Sequence, residues 1–176
     1  MQGRWPCIDE GFYLLFEFDT VVTPWCWRLI EEEFRRDPAI GTVGPSTSAS
    51  SNEQTLEQII KQGPYMSDNQ ICAFASGLIE EVPVVTDLDW LSGFAFFVRR
   101  SLWEEVGGFD ENLPDYGNEK ELCWRVAKMG YRNVWVRQAY IHHFGKQSYS
   151  KAIGSGEISA RIHEAESYME RKHGRR

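Results

Sequence analysis

No stretch of the sequence is apolar for long enough to cross a membrane. Unbroken apolar runs such as 12–16 and 94–98 are only five residues long, whereas a transmembrane helix needs about 20 apolar residues. We also expect no secretory signal peptide, because Glu17 and Asp19 interrupt the first apolar run before a hydrophobic segment of sufficient length forms. Low-complexity segments and internal repeats are equally absent, which excludes fibrous and disordered classes of protein.

Cysteine is scarce and scattered. The chain has no C-x-x-C pair, and no histidine stands beside a cysteine at the spacing of zinc ligands. This pattern argues against a disulfide framework and favours reduced thiols, which are typical of the cytoplasm. We therefore expect a cytoplasmic protein, with the inner membrane surface as the other location open to it. The four cysteines are Cys7, Cys26, Cys72 and Cys123.

Positive charge is outweighed by negative charge. The chain has 19 Lys and Arg residues against 26 Asp and Glu residues, so its formal net charge is −7 at pH 7. A nucleic-acid partner is not expected, because phosphate backbones bind mainly to Lys and Arg. Carboxylates concentrate between Glu104 and Glu121. Such a cluster suits a divalent cation, an acid/base site or merely a solvated loop.

The length and composition are typical of one globular domain, or of a fragment of a larger one. The 176 residues are 42% hydrophobic, 26% charged and 14% aromatic, which is enough apolar material for a buried core. Strand and helix periodicities alternate along 1–176 without a linker, and this alternation predicts an α/β sandwich. The predicted strands are 11–19, 40–43, 93–98, 131–136 and 139–143, and 71–85 is ambiguous with extended structure favoured. The predicted helices are 24–36, 54–62, 101–106, 118–129 and an amphipathic C-terminal helix over 155–174.

Local signals mark helix ends and one loop. Thr23-Pro24 places an N-cap threonine before a proline at the first helical position, and Ser101 with Glu104 forms a capping box. Gly107-Gly108 predicts the end of that short helix, since glycine adopts the left-handed conformation of a C-cap. Residues 46–52 form a polar loop, where we most expect mobility.

Two carboxylates stand at the end of the first predicted strand. Glu17 and Asp19 are two residues apart, so in an extended strand both point to the same face and can reach one cation. Ligands commonly bind at the carboxyl ends of strands in open α/β sheets. Acidic residues at strand ends are also common without a ligand, so both interpretations stay open.

A later helix start and strand end offer further candidates. Glu119 lies in the first turn of a predicted helix, where the helix dipole favours its ionised form and its position makes it point inward, as suits a general base. Glu121 precedes Arg125 by four residues, the spacing of a surface ion pair. Of the neighbours His142 and His143, only one can face a given site. Glu119 could equally be an acid that only stabilises the helix start, and the histidine could equally be structural, so these alternatives stay open.

Short motifs follow one another in a fixed order in the second half of the chain. They are Gly93 before an apolar run, Arg99-Arg100, GGFDE at 107–111, the acidic helix start at 118–121, Gly130-Tyr131 and the segment 143–148. With the acidic strand, helix and strand over 12–45, this order resembles the C-terminal half of a family 2 glycosyltransferase. The resemblance spans roughly 11–150. It implies part of a GT-A fold, an α/β sandwich with a mixed sheet flanked by helices.

The resemblance also implies a role for each candidate residue. Asp19 and Glu17 match the family's metal-binding acidic motif, and His143 matches the late histidine that completes metal coordination. Glu119 matches the catalytic base. By the same carry-over, Lys146 would add charge at the donor diphosphate, and Trp90 and Gly93 would lie near the acceptor.

The implied reaction is attack of an acceptor hydroxyl on the anomeric carbon of a nucleotide-activated sugar. It proceeds with inversion and is assisted by Mn²⁺ or Mg²⁺, of which an imidazole ligand favours Mn²⁺. The acceptor is a glycan, a lipid-linked compound or another hydroxyl compound.

The sequence departs from the family in two places. Asn118-Glu119 stands where the family has an acidic pair, so the base is a glutamate. The family's first half, with most of the nucleotide pocket, has no match before Gly11. We therefore expect a truncated catalytic domain, inactive alone, that covers its open sheet edge by forming a two-fold dimer. A non-catalytic binding module of the same fold and an unrelated metal-dependent hydrolase are the alternatives.

Overall fold

The computed structural model describes residues 11–57, 66–79, 84–145 and 155–174. Within these ranges the chain forms five helices around one mixed sheet of six strands. The strands are β1 (Phe12–Phe16), β2 (Thr20–Val22), β3 (Ile40–Ser46), β4 (Val85–Asp87), β5 (Ala95–Arg99) and β6 (Arg132–His143). The helices are α1 (Pro24–Arg36), α2 (Asp68–Ile79), α3 (Arg100–Val106), α4 (Asn118–Lys128) and α5 (Ser155–His173).

The sheet has the order β1-β5-β3-β6-β2, and β4 also pairs with β6. Only the β3–β6 pair is parallel among the described strands, while every other pair is antiparallel. The predicted fold class, an α/β arrangement of a mixed sheet with flanking helices, is confirmed.

Both faces of β5 are buried, because helices cover the sheet on two sides. Ala95 and Phe97 pack in one apolar cluster with α1, whereas Phe96 and Val98 pack in another with α3 and α4. Adjacent strand residues point to opposite faces, so an unbroken apolar run is what a strand between two helical layers requires. On α1 the buried apolar residues follow a spacing of four: Cys26, Ile30 and Phe34.

Two secondary-structure predictions were wrong. Residues 68–79 form helix α2, although extended structure was favoured over 71–85. The buried residues Ile71, Ala75 and Leu78 have helical spacing. Residues 132–143 form the single strand β6 and not two strands. The register with β3 shifts between Pro45, which pairs with Val136, and Ser46, which pairs with Tyr140, so the residues between Val136 and Tyr140 form an irregularity within one strand. Most of the helix predicted over 54–62 lies outside the described residues.

The predictions of helix ends were only partly right. Thr23 is the N-cap of α1 with proline following, but its hydroxyl donates to the carbonyl of Tyr140 at 2.6 Å instead of capping the helix. The capping box at Ser101 is wrong, because α3 already begins at Arg100. The predicted end at Gly107 is confirmed, with a left-handed φ of 78°.

Helix α5 packs on α4 through a small apolar contact. Ala165 and Met169 are buried against Leu113 and Trp124, but Ile162, predicted on the same apolar face, is 39% exposed. None of the helices in the described ranges has both the length and the apolar composition to cross a membrane.

The second contact of α5 is ionic and changes the interpretation of Glu121. The predicted pair with Arg125 is present, with Arg125 Nε 2.8 Å from Glu121 Oε2. It is not a surface pair, because Glu121 is fully buried. Two residues of α5 contact the other carboxylate oxygen, Glu121 Oε1: Lys172 Nζ lies at 2.8 Å and His173 Nε2 at 2.9 Å.

Candidate active site

The turn between β1 and β2 is tied to the ends of two other strands. Glu17 N donates to the carbonyl of Phe94 at 3.0 Å, and Phe144 N donates to the carbonyl of Asp19 at 3.0 Å. Thr20 is paired with His143 across β2 and β6. These backbone bonds fix the turn that carries both carboxylates beside the end of β6.

Glu17, Asp19 and His143 form one cluster. His143 Nε2 lies 3.1 Å from Glu17 Oε2 and 3.3 Å from Asp19 Oδ1. One ligand atom of each of the three lies within 4.8 Å of the other two. The family resemblance implied that Asp19 and His143 meet at one metal site, and the two side chains do lie together. The two carboxylates do so from a turn after β1, however, and not from one face of an extended strand.

The orientation of His143 is set by its other ring nitrogen. Nδ1 lies 2.8 Å from the carbonyl oxygen of Ala49, which can only accept, so Nδ1 carries a proton. The ring is also stacked on Phe94, with 5.7 Å between centroids. Nε2 is therefore aimed at the two carboxylates, the arrangement in which a histidine ligates a metal through one nitrogen and is oriented through the other.

His143 Nε2 also tests whether these residues suit a cation. It is buried and makes no hydrogen bond of ordinary geometry, despite the two carboxylate oxygens nearby. Burial lowers the pKa of His143, but Glu17, the Ala49 carbonyl and Asp19 together raise it above its ordinary value. A nitrogen held against two carboxylates needs positive charge between them, either a proton or a metal. Two carboxylates and one imidazole fit a divalent cation.

Glu119 lies in the first turn of α4, with its carboxylate against Gly93. A Cβ on residue 93 would come within 3.0 Å of both Cδ and Oε1 of Glu119. The pKa of Glu119 is raised by burial, and the nearby charge of Glu17 adds to this, against hydrogen bonds from the backbone N–H groups of Glu119 and Gly93. The expectation that the helix dipole favours the ionised form is therefore overturned, because desolvation outweighs it.

Gln54 braces both parts of the site, and sequence reasoning missed it. Its side chain is fully buried, donates to the carbonyl of Pro45 at 2.8 Å and accepts from Ser92 N at 2.7 Å. The segment between β3 and Gln54 supplies the Ala49 carbonyl and also Ser48. The backbone N–H of His143 donates a hydrogen bond of 3.0 Å to the Ser48 hydroxyl. The polar groups of this segment thus make hydrogen bonds to the strands and to His143. No local motif marks Gln54, since its partner Ser92 is distant in sequence.

The remaining predicted residues divide into three groups. Trp90 and Gly93 lie on the loop that leads from Asp89 to β5, and Gly93 touches Glu119 as described. His142 is buried on the other face, with Nδ1 2.8 Å from the hydroxyl of Tyr140, so only one histidine faces the site. Lys146 lies outside the described residues.

Most of the acidic segment 104–121 is not at the site. Asp110 Oδ2 lies 2.7 Å from Lys172 Nζ and accepts a hydrogen bond of 2.7 Å from Tyr168. Asp115 pairs with Arg161. These partners belong to α5, so this part of the acidic segment anchors the C-terminal helix instead of binding a cation.

The sequence matches glycosyl transferase family group 2 over residues 14–164. An N-acetylglucosaminyl-diphospho-decaprenol L-rhamnosyltransferase of Mycobacterium tuberculosis (strain ATCC 25618 / H37Rv) is 39% identical over 61 residues, covering 35% of this chain and 20% of that protein. The rhamnosyltransferase WbbL of Escherichia coli (strain K12) is 30% identical over 104 residues, covering 53% of this chain and 39% of that protein. The matched part is thus less than half the length of either relative.

Among solved structures, a mannosyltransferase from Pyrobaculum calidifontis in complex with GDP-Man and Mn²⁺ matches 85% of this chain and 35% of its own. The superposition has a TM-score of 0.49 and 16% sequence identity.

Proposed function

The chain belongs to glycosyl transferase family group 2, and from that membership we propose that it transfers a sugar from a nucleotide-activated donor to an acceptor hydroxyl, with inversion and with the help of a divalent cation. The observation that carries the proposal is the meeting of Glu17, Asp19 and His143 beside Phe94, whose neighbour Gly93 contacts the Glu119 carboxylate. A cation site beside a half-buried carboxylate suits such a transfer.

The donor side of the site is assigned to the three-residue cluster. Glu17, Asp19 and His143 would hold Mn²⁺ or Mg²⁺, with the imidazole favouring Mn²⁺. When bound, the cation supplies positive charge for the leaving diphosphate. Ala49 keeps His143 in the tautomer that presents a lone pair at Nε2, so the protein sets the ligand before the cation arrives.

The acceptor side is assigned to Glu119. Its carboxylate would take the proton of the attacking hydroxyl, and a raised pKa suits that task because a base works best when its pKa is nearer to the working pH. Gly93 leaves the space in which this carboxylate lies. One base on the acceptor side and a metal site on the donor side support a single displacement, which inverts the anomeric centre.

The relatives suggest a substrate class. Both are rhamnosyltransferases by name, and one acts on a lipid diphosphate that carries N-acetylglucosamine. We propose an activated deoxyhexose as the donor and a saccharide linked to a lipid diphosphate as the acceptor.

The expected two-fold dimer stays a prediction. β1 lies at the edge of the described sheet, and Phe16 and Phe18 beside it are 57% and 85% exposed. An open edge with exposed aromatic residues supports pairing with another surface, which a two-fold dimer would supply. The same features support the second candidate function, a non-catalytic module that binds a partner through this edge.

A titration of the 176-residue chain with MnCl₂, with and without a panel of nucleoside diphosphates, tests the proposal. Mn²⁺ binding that becomes tighter in the presence of one nucleotide supports a transferase site. Absence of both Mn²⁺ and nucleotide binding would refute the metal-assisted function of this chain and favour the non-catalytic module.

A further inference from the structure

A concave surface lies one residue along α4 from Glu119. Its volume is about 360 Å³, and it is lined by residues 89 and 90, by α4 and by α5. This volume is near the lower limit for small-molecule sites, which suits one ring better than a chain of rings. None of the roles assigned above to Glu17, Asp19, Glu119 or His143 uses this cavity.

Two tryptophan rings form its walls. Trp90 is half-buried and Trp124 is almost fully buried. Lys120 Nζ lies 5.6 Å from the centroid of the Trp90 ring and 5.4 Å from that of Trp124. An ammonium held over two rings marks faces that attract partial positive charge. The C–H face of a pyranose carries such charge, so a sugar ring could take the place of the Lys120 ammonium on this surface.

The polar part of the lining selects an uncharged ligand. Three carboxylates, Asp89, Glu166 and Glu170, line the cavity with the single ammonium of Lys120. Sugar hydroxyls donate hydrogen bonds to carboxylates, whereas a phosphate or carboxylate ligand would face a negative surplus. An aromatic wall with acceptor groups at its rim therefore favours a neutral hexose or N-acetylhexosamine over an anion.

The cavity lies close to the proposed base, Glu119. Trp90 is three residues from Gly93, so at most about 10 Å of chain separates them, and Gly93 contacts the Glu119 carboxylate. We propose that this cavity binds an uncharged sugar ring of the acceptor, next to the sugar unit whose hydroxyl Glu119 deprotonates. The proposal rests on the proposed transferase function, although the sugar can bind without a donor or a metal.

The test uses the full chain and follows tryptophan indole N–H signals by NMR. The chain is titrated with the methyl glycosides of glucose, galactose, N-acetylglucosamine and rhamnose. We expect at least one of them to shift the Trp90 and Trp124 signals with saturation. Trp90→Ala should weaken that binding by about tenfold or more, whereas Trp27→Ala, on α1 and 46% exposed, should leave it unchanged. If Trp90→Ala does not fold, Glu166→Gln takes its place, with an expected loss of about threefold.

Two results would overturn the proposal. One is that none of the four glycosides causes a saturable shift. The other is that inorganic phosphate binds saturably and Lys120→Met abolishes that binding, which would make the cavity an anion site. A failed Mn²⁺ titration would count against the metal-assisted function alone, because the metal cluster and this cavity share no residue.

Discussion

The carboxylate of Glu119 occupies the space that a side chain on residue 93 would need. A Cβ built on Gly93 lies 3.0 Å from Glu119 Oε1 and 3.0 Å from its Cδ. Gly93 has no unusual backbone conformation to explain its identity, since it is not among the glycines with positive φ. The glycine is therefore explained by the carboxylate beside it, and this ties one backbone position to the proposed base.

In a full-length relative that carries this segment, Gly93→Ala should reduce sugar transfer without unfolding the protein. The new methyl group would push the Glu119 carboxylate aside, and a misplacement on the order of 1 Å costs about 100-fold in rate. Gly77→Ala is the matched control, because a Cβ there meets nothing within 4 Å and alanine favours helix α2. The measurements are transfer rate and thermal midpoint. Equal transfer by both variants would show that the Glu119 position does not matter.

In a full-length relative that carries this segment, Glu119→Gln should remove the base and preserve its shape. We expect transfer to fall by about 10²–10⁴-fold, the usual contribution of general-base catalysis. Glu104→Gln, an exposed carboxylate on α3, should leave the rate unchanged. Turnover of Glu119→Gln close to that of the parent would assign the proton to another group.

Asp19→Asn should abolish Mn²⁺ binding while the fold persists. The amide keeps the size of the side chain but removes one of the two charges that face His143 Nε2. Asp115→Asn is a suitable control, because Asp115 pairs with Arg161 away from the cluster. Calorimetry measures the affinity, and circular dichroism the fold. Unchanged Mn²⁺ affinity in Asp19→Asn would remove Asp19 from the proposed ligands.

The contact of α5 with α4 should weaken in acid. A hydrogen bond from Lys172 holds the pKa of Asp110 well below its usual range despite desolvation. Burial raises the pKa of Glu121, but Arg125, Lys172 and His173 outweigh it and lower the pKa overall. A depressed pKa in the folded state adds stability that is complete above the unfolded-state pKa of about 4 and is lost as the pH falls through the folded values.

The measurement is the thermal midpoint between about pH 7 and pH 2. The parent chain should lose stability steeply below about pH 4, and Asp110→Asn should flatten part of that slope, because an amide does not titrate. Identical slopes in the two proteins would contradict a stabilising role for Asp110.

Much of the fold was predictable because its signals are local. The apolar run of β5, the spacing of four on α1 and the glycine at 107 each act within a few residues. The convergence of Asp19 and His143 was predictable from the family resemblance and from two apolar strands, one shortly before Asp19 and one that ends at His143. Helix α2 was missed because its apolar residues, Ile71, Ala75 and Leu78, stand in a stretch that is apolar on other faces too.

What the sequence could not predict depends on contacts between distant residues. Glu121 and Arg125 have the spacing of an exposed pair, and only the docking of α5 makes Glu121 buried. The raised pKa of Glu119 likewise comes from burial, which no helix-dipole argument contains. Local sequence predicts where a side chain lies on its helix or strand, but its exposure to solvent depends on which other parts of the chain pack against it.

Gln54→Leu should disturb the metal cluster and the base together, although Gln54 touches neither. The change leaves the Pro45 carbonyl and Ser92 N without their partner in a buried place. Each unsatisfied group costs about 1–3 kcal/mol of unfolding free energy.

Because the loop that contains Gln54 also presents the Ala49 carbonyl to His143 Nδ1, we expect weaker Mn²⁺ binding and a change in the ¹⁵N signals that report the His143 tautomer. Gln70→Leu, at an exposed site on α2, is the control. A Gln54→Leu protein that is less stable but has unchanged His143 signals and Mn²⁺ affinity would limit Gln54 to a role in folding.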